Sequence, residues 1–194
     1  MKIIEFRRHS VKDGTGGYML GEKGYALARA VGEKQLRGQD FSHFFVSPLW
    51  RTHQTLAAFA EGAGDFDLKF APAFDPFHKV VAEHEDAICL WHGVCRLAEM
   101  AGEDMMLASL TQEKDRVDRI AKLATDAFVA WIETLPEDAH VLVVGHGPLL
   151  EFLPYGLLGT VIPALKECNG FRLTHDGEFE LDYTSFDLDA QILR

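Results

Sequence analysis

The amino-acid sequence predicts a three-layer α/β/α sandwich with a mostly parallel central sheet, on the basis of three observations. Short strand patterns alternate with longer helical patterns along the chain, which is typical of α/β folds. The segment Val141 to Val144 is a continuous apolar run, as expected for a strand buried on both faces of a parallel sheet. Further on, Asp176-Gly177 separates two apolar segments and indicates a β-hairpin. No internal repeat or linker interrupts the pattern, so a single domain is expected over residues 1–194.

The first part of the chain supplies strands and helices in alternation. A strand is expected from Lys2 to Phe6 and a helix from Glu22 to Leu36. A second strand, Phe44 to Val46, leads into a helix from about Trp50 to Glu61. The apolar segment Phe66 to Phe70 predicts a short third strand, which continues the alternation.

The second part of the chain contains the clearest helix of the sequence. It runs from Glu113 to Leu135, where apolar residues recur at helical spacing and form a stripe that faces the core. Residues Val80 to Gly102 also read as helical, with a break. The strands of the predicted hairpin are Phe171 to Thr174 and Phe179 to Tyr183.

Composition excludes several classes of partner and compartment. The 194 residues include 19 basic and 30 acidic side chains, which give a net charge of −11, whereas nucleic-acid binders usually present a basic face. No run approaches the roughly 18 apolar residues of a membrane span, and no signal-peptide pattern precedes the first strand. Three cysteines without a Cys-x-x-Cys pair indicate reduced thiols. We therefore expect a cytoplasmic protein that binds neither nucleic acid nor membranes.

Histidine and arginine side chains follow three of the predicted strands. Arg8 and His9 follow the first strand, Arg51 follows the second, and His146 follows the buried strand. Ligands of open α/β sheets bind at the carboxyl ends of the strands, so these four side chains are expected to share one pocket. Arginine can hold phosphate oxygens bidentately, and neutral imidazole can act as a covalent nucleophile. The sequence thus predicts a local cationic pocket for phosphate on an acidic body.

Three motifs give the chain a resemblance to a known family. They are Arg8-His9-Ser10, the nine residues Ser-Pro-Leu-Trp-Arg-Thr-His-Gln-Thr at 47–55, and His146-Gly147. In this order they resemble the motifs of the histidine phosphatase superfamily, the phosphoglycerate mutase-like proteins. Weaker matches lie at 20–24 and 167–170, so the resemblance covers nearly the whole chain. It implies a phosphoglycerate mutase-like fold.

The resemblance also implies a role for each pocket residue. His9 would be the nucleophile and would become phosphohistidine, while Arg8 and Arg51 would clamp the phosphoryl oxygens. His146 would complete the pocket. Because these side chains supply the positive charge, no metal and no cofactor are expected. His9 must attack as neutral imidazole, with one nitrogen free and the other held by a backbone acceptor.

Ser10 departs from the family motif, which has glycine at this position. Glycine is usual where backbone approaches a ligand closely or needs positive φ. Serine is the smallest polar substitute, and its hydroxyl is expected to face the phosphate. We therefore place Ser10 among the phosphate-binding residues.

The general acid that would protonate the leaving oxygen is expected in the segment after the third strand. The resemblance implies a carboxylate there, and Asp75 has a similar offset from that strand. Glu83, Glu85 and Asp86 are alternatives.

The histidines of the same region do not have the spacing of a metal site. His78, His84 and His92 lie among acidic residues, but they form no His-Glu-x-x-His or similar pattern. A cluster above the pocket that contacts substrate is the better interpretation.

The sequence therefore predicts a metal-independent phosphomonoester or phosphohistidine hydrolase that acts through a phosphohistidine on His9. Its partner would be a small phosphorylated substrate or a phosphohistidine protein. One alternative is phosphoryl transfer of the phosphoglycerate mutase type, although mutases of the family have longer chains. The other is a catalytically weak phosphate-binding module, supported by Ser10 and by the unassigned acid. Neither the physiological substrate nor the oligomeric state follows from the sequence.

Overall fold

The computed structural model describes residues 1–14, 18–68, 71–74, 76, 80, 93, 96–98, 100–147 and 149–184. Helices and strands alternate through much of this part of the chain, and the predicted α/β class is confirmed. The elements are, in order, β1 (Lys2–Arg8), α1 (Glu22–Val31), a π-helical turn (Gly32–Leu36), β2 (His43–Val46), α2 (Trp50–Ala63), α3 (Met105–Gln112), α4 (Lys114–Ile132), β3 (His140–Gly145), α5 (Phe152–Leu158), β4 (Gly170–His175) and β5 (Phe179–Asp182).

The described strands form one five-stranded sheet in the order β2-β3-β1-β4-β5. Strands β1, β2 and β3 are parallel to one another, and β4 is antiparallel to both β1 and β5. The sheet is therefore mostly parallel, as predicted. Arg8 pairs with Gly145 at the end of β1, and Val46 pairs with Val144 at the end of β2. This register brings the carboxyl ends of all three parallel strands to one edge.

Backbone contacts divide the chain into two compact units. The first comprises Met1–Phe74, Glu137–His146 and Lys166–Arg194, and it contains the whole sheet with α1 and α2. The second comprises Asp75–Pro136 and Gly147–Leu165 and contains α3, α4 and α5. The expectation of a single domain over residues 1–194 stays a prediction.

In the first unit, α1 and α2 pack on one face of the sheet. Their apolar side chains form a core with Phe44 and Val46 of β2 and with Leu142 and Val144 of β3. Glycine allows α1 and α2 to approach each other closely. A Cβ added to Gly62 of α2 would collide with the Arg29 carbonyl of α1. On the other face of the sheet, the ring of Phe6 stacks on Phe171 at 4.9 Å and meets Phe74 edge-on at 5.9 Å.

In the second unit, α4 buries one apolar stripe along its length. The stripe contains Val117, Ile120, Ala121, Ala124, Phe128 and Ile132. Asp104 caps the N-terminus of α3, where its Oδ1 accepts hydrogen bonds from the backbone N–H groups of Met106 and Leu107 at 2.9 and 3.0 Å. Gly156 of α5 lies against α4, where an added Cβ would meet Thr125 and the Ala121 carbonyl.

The predicted strand Phe66 to Phe70 is wrong over residues 66–68, which form no strand; residues 69 and 70 lie outside the described part. Phe66 instead packs its ring against Phe41 at 5.6 Å and Phe44 at 5.1 Å. The apolar alternation therefore reflects burial on the core rather than strand pairing. The adjacent edge of β2 makes only an isolated parallel bridge with Ala73 in the described structure.

The helix predicted from Glu22 to Leu36 continues to Leu36, but it changes from α to π geometry after Val31. Most of the predicted helical segment Val80 to Gly102 lies outside the described residues. None of the helices in the described part of the chain has both the length and the apolar character to cross a membrane.

Candidate active site

The structure brings together the four pocket residues that the sequence singled out. Arg8 ends β1 and His9 follows it, Arg51 lies in the first turn of α2, and His146 directly follows β3. The backbone N–H of His9 donates to the Gly145 carbonyl at 2.9 Å, which joins the ends of β1 and β3. The His9 and His146 rings lie 5.0 Å apart, and Arg51 Nη2 is 3.4 Å from His146 Nδ1. All four residues belong to the first unit.

The hydrogen bond at Nδ1 of His9 sets which ring nitrogen carries the proton. Nδ1 lies 2.7 Å from the carbonyl oxygen of Ser10. A carbonyl oxygen can only accept, so Nδ1 is the protonated nitrogen of the neutral ring. Nε2 therefore keeps a lone pair. This matches the expectation of one free nitrogen and one nitrogen held by the backbone.

His146 has the opposite tautomer. Its Nδ1 faces the guanidinium of Arg51, which can only donate, so the proton of the neutral ring lies on Nε2. Within the described residues, this Nε2 is buried and has no hydrogen-bond partner. A buried donor without an acceptor is unfavourable, and an oxygen of a bound anion would satisfy it.

Burial and positive neighbours keep both rings neutral. Burial lowers the pKa of His9 to about 4, and the charges of Arg51, Arg8 and Lys12 act in the same direction, although the Ser10 carbonyl opposes them. Burial, followed by the charge of Arg51, lowers the pKa of His146 to about 2. Both imidazoles are therefore uncharged at pH 7, as a nucleophilic His9 requires.

Thr55 links the loop after β1 to the first turn of α2. Its Oγ1 accepts from the Ser10 backbone N–H at 3.0 Å and donates to the Arg51 carbonyl at 2.7 Å. A residue four positions after Arg51 lies on the same face of the helix, and that spacing is the signal in the sequence that could have revealed this role. Gln54 binds the segment just before α1, because its Oε1 accepts a hydrogen bond from the Leu20 N–H at 2.8 Å.

The expectation that the Ser10 hydroxyl faces the phosphate needs correction. Ser10 is completely buried, and its Oγ donates to the Gly24 carbonyl at 2.7 Å. A hydroxyl has a single proton, so no donor is left for a phosphoryl oxygen. Ser10 also needs no glycine-like conformation, because Cys168 is the only non-glycine residue with positive φ in the described structure.

The loop before β4 contacts both the backbone and the side chain of Arg8. In the sequence, this loop is apparent only as the weak motif match at 167–170. The Cys168 N–H donates to the Arg8 carbonyl at 3.2 Å, and the Arg8 N–H donates to the Asn169 carbonyl at 2.8 Å. Nη2 of Arg8 lies 3.5 Å from Oε1 of Glu167. The side chain and the backbone of Arg8 are thus held by one loop.

Arg7 belongs to a buried ion network and not to the pocket. Its Nε donates to Glu5 Oε1 at 2.8 Å and its Nη1 donates to Gln35 Oε1 at 2.8 Å. The other oxygen of Glu5 accepts from Arg172 at 2.9 Å. Full pairing is what a buried carboxylate requires.

The candidate general acid Asp75 and its alternatives Glu83, Glu85 and Asp86 lie outside the described residues, as do His78, His84 and His92. The assignment of the acid therefore stays a prediction.

The chain matches the family model of the histidine phosphatase superfamily (branch 1) over residues 5–188. Among curated proteins, none matches the sequence significantly.

Several solved structures share the fold over nearly their whole length. A phosphoglycerate mutase from Bacillus anthracis str. Sterne is 17% identical with a TM-score of 0.65, and the match covers 94% of this chain and 92% of that one. A phosphoserine phosphatase from Entamoeba histolytica, in complex with 3-phosphoglyceric acid, is 16% identical with a TM-score of 0.60 and coverage of 99% and 100%. A mycobacterial glucosyl-3-phosphoglycerate phosphatase with inorganic phosphate is 18% identical with a TM-score of 0.61 and coverage of 94% and 96%. These identities support a shared fold.

Proposed function

The chain belongs to the histidine phosphatase superfamily, and from this premise we propose that it is a metal-independent phosphatase acting through a phosphohistidine on His9. The observation that carries the proposal is the pair of different partners of Nδ1, a carbonyl at His9 and a guanidinium at His146, from which opposite tautomers follow. One ring directs a lone pair and the other an N–H group from Nε2, beside the guanidinium groups of Arg8 and Arg51. Transfer of a phosphoryl group needs both a nucleophile for the phosphorus and hydrogen-bond donors for the phosphoryl oxygens.

Binding of the phosphoryl group uses the cationic side of the pocket. Arg8 and Arg51 donate to the phosphoryl oxygens, and Nε2–H of His146 supplies a further donor. Charge-assisted hydrogen bonds of this kind are stronger than neutral ones. They also stabilise the negative charge that is spread over the phosphoryl oxygens during transfer.

Transfer proceeds in two displacements. Nε2 of His9 attacks the phosphorus, a P–N bond forms, and the electron pair of the ester P–O bond leaves with the leaving-group oxygen. That oxygen takes a proton from the general acid, for which Asp75 is proposed. The Ser10 carbonyl stabilises the positive charge on the His9 ring through Nδ1–H. Water then attacks the phosphorus, a proton of the water returns to the general acid, and the P–N bond breaks, which returns the lone pair to Nε2 and releases phosphate.

The substrate is proposed to be a small phosphomonoester or a phosphohistidine on another protein. Both present a phosphoryl group that the same pocket can accept. A phosphohistidine makes the weaker demand on a general acid, because imidazole is a good leaving group.

Hydrolysis of an aryl phosphate in the presence of EDTA tests the proposal. Wild-type protein is compared with His9→Asn and with His175→Asn, a control in β4 whose backbone pairs with Lys2 at the other end of β1. We expect turnover with EDTA, a loss of at least about a thousandfold in His9→Asn, and wild-type rates in the control. An alkaline quench during turnover should capture a phosphoprotein in the wild type and in the control, but not in His9→Asn.

Two results would contradict the proposed function. Turnover that His9→Asn retains would rule out His9 as nucleophile, and turnover abolished by EDTA would rule out a metal-independent reaction. Phosphate binding without hydrolysis of any aryl or histidine phosphate would instead support the phosphate-binding module.

A further inference from the structure

The loop Lys166 to Asn169 makes an unusual turn beside Arg8. Cys168 has a φ of 62°, a left-handed conformation that costs a non-glycine residue of the order of 1 kcal/mol or more. Two contacts hold it there: its N–H donates to the Arg8 carbonyl, and its carbonyl accepts from Arg7 Nη1 at 3.2 Å. Non-glycine residues in this conformation are concentrated at functional sites.

The turn brings the carboxylate of Glu167 to the guanidinium of Arg8. Oε1 of Glu167 lies 3.5 Å from Nη2 of Arg8, and the two side chains are 37% and 16% exposed. The arginine is thus mostly enclosed, whereas the carboxylate reaches solvent and can move away. This differs from Glu5, which is fully buried and paired by Arg7 and Arg172.

Positive side chains surround the pocket. Arg8, Arg51 and Lys12 are positive and lie close enough to His9 to disfavour its protonation. A positive cluster of this kind favours binding of the orthophosphate product. A carboxylate on Arg8 competes with phosphate for the same guanidinium and repels the bound dianion.

We propose that Glu167 is a positioning residue that holds the Arg8 guanidinium in the empty pocket and competes with phosphate for it, which accelerates product release. The proposal rests on the proposed function, because it takes Arg8 as a phosphate ligand. Glu167 contacts neither the phosphoryl group nor the nucleophile and acts only through Arg8.

Titration of the purified protein with inorganic phosphate tests the role of Glu167 without any need for turnover. Calorimetry gives the phosphate Kd of wild type, Glu167→Gln, Glu167→Asp and Glu61→Gln. Glu61 is the matched control because it pairs with Arg29 at 3.2 Å on the exposed surface of the same unit. We expect Glu167→Gln to bind phosphate about fivefold more tightly, Glu167→Asp to lie near wild type, and Glu61→Gln to be unchanged. In turnover, Glu167→Gln should lower both KM and kcat.

A purely structural role of Glu167 predicts the opposite sign, since a misplaced Arg8 would weaken phosphate binding. Unchanged or weaker binding by Glu167→Gln, or no phosphate binding by the wild type, would overturn the proposal. If the glutamine variant does not fold, Glu167→Ala removes the same charge and decides the same question. A wild-type protein that binds phosphate but hydrolyses no ester would contradict the proposed function alone.

Discussion

Two histidines of one pocket differ in tautomer because their Nδ1 atoms have different partners. The partner of His9 is a carbonyl and that of His146 is a guanidinium, so one ring offers a lone pair and the other a proton at Nε2. Sequence reasoning foresaw the backbone acceptor of His9. It could not foresee the tautomer of His146, because that depends on where the Arg51 side chain ends.

Ser10 is compatible with the pocket because its hydroxyl is hydrogen-bonded to the Gly24 carbonyl. We expect Ser10→Gly to lower the free energy of unfolding by about 1 kcal/mol, because the buried hydrogen bond to the Gly24 carbonyl is lost. Phosphate affinity should change by less than about twofold, since the hydroxyl has no proton to offer the ligand. Urea unfolding and phosphate titration measure the two quantities. A large loss of phosphate affinity at unchanged stability would return Ser10 to the phosphate-binding residues.

The four central pocket residues could be found from the sequence, and Ser10 could not be placed. Arg8 ends the first strand, and His9, Arg51 and His146 come after the ends of their strands, so their meeting is a consequence of a parallel sheet. The direction of a small buried side chain depends instead on a neighbouring element, here the carbonyl of Gly24 at the start of α1.

At the scale of elements, Thr55 couples α2 to the loop that follows β1. We expect Thr55→Val to destabilise the protein by about 1–3 kcal/mol, because the buried Ser10 N–H loses its acceptor. The value of kcat/KM should fall at least about tenfold, since Arg51 and the His9 loop lose their shared contact. Denaturant unfolding and kinetics with an aryl phosphate measure both effects. Thr55→Ser keeps the hydroxyl and should resemble wild type; equal losses in the serine variant would argue against the hydrogen bonds as the cause.

The contact between α1 and α2 gives a prediction whose sign opposes helix propensity. Alanine is favoured over glycine by about 1 kcal/mol inside an exposed helix, so Gly62→Ala would ordinarily stabilise α2. Here the new Cβ would collide with the Arg29 carbonyl, and the helices must separate. We expect a loss of roughly 1–3 kcal/mol in urea unfolding, the usual effect of overpacking. A more stable variant would show that this contact is looser than described.

Sequence patterns located most strands and helices but missed elements whose pattern is ambiguous. The π-helical turn Gly32–Leu36 continues the apolar periodicity of α1, so it reads as the same helix. Helix α5 is only seven residues long and contains Pro154 and Gly156, both poor helix formers. Phe66 and Leu68 alternate like a strand because they cover the edge of the core, where no strand pairs with them among the described residues.

At the scale of the whole molecule, the buried histidines link stability to pH. Their pKa values in the folded state, about 4 for His9 and about 2 for His146, lie below the ordinary value of 6.5. The unfolded chain therefore binds protons first as the pH falls. The stability contributed by each histidine that stays neutral on folding is complete well above pH 6.5. It is lost progressively as the pH falls, down to about pH 4 for His9 and about pH 2 for His146, by at most about 1.4 kcal/mol per pH unit and histidine.

We therefore expect His146→Gln to flatten the acid dependence of unfolding relative to wild type. The free energy of unfolding is measured in urea at pH 7, 6 and 5, with His53→Gln at an exposed position of α2 as control. The control should keep the wild-type slope. Equal slopes in all three proteins would show that His146 titrates normally in the folded state.

The order of the strands also constrains how the molecule comes to be folded. The strand that ends beside His9 has β3 and β4 as its neighbours, and its Ile4 pairs with Val141 and Leu173. Both neighbours are synthesised long after β1, so during translation β1 can pair with β3 only once His140–Gly145 has left the ribosome, and with β4 only once Gly170–His175 has followed. Pairings so distant in sequence are slow to form and leave hydrophobic strands exposed to aggregation in the meantime. Pairing of β1 on both of its edges is therefore expected to be a late step in the folding of this chain.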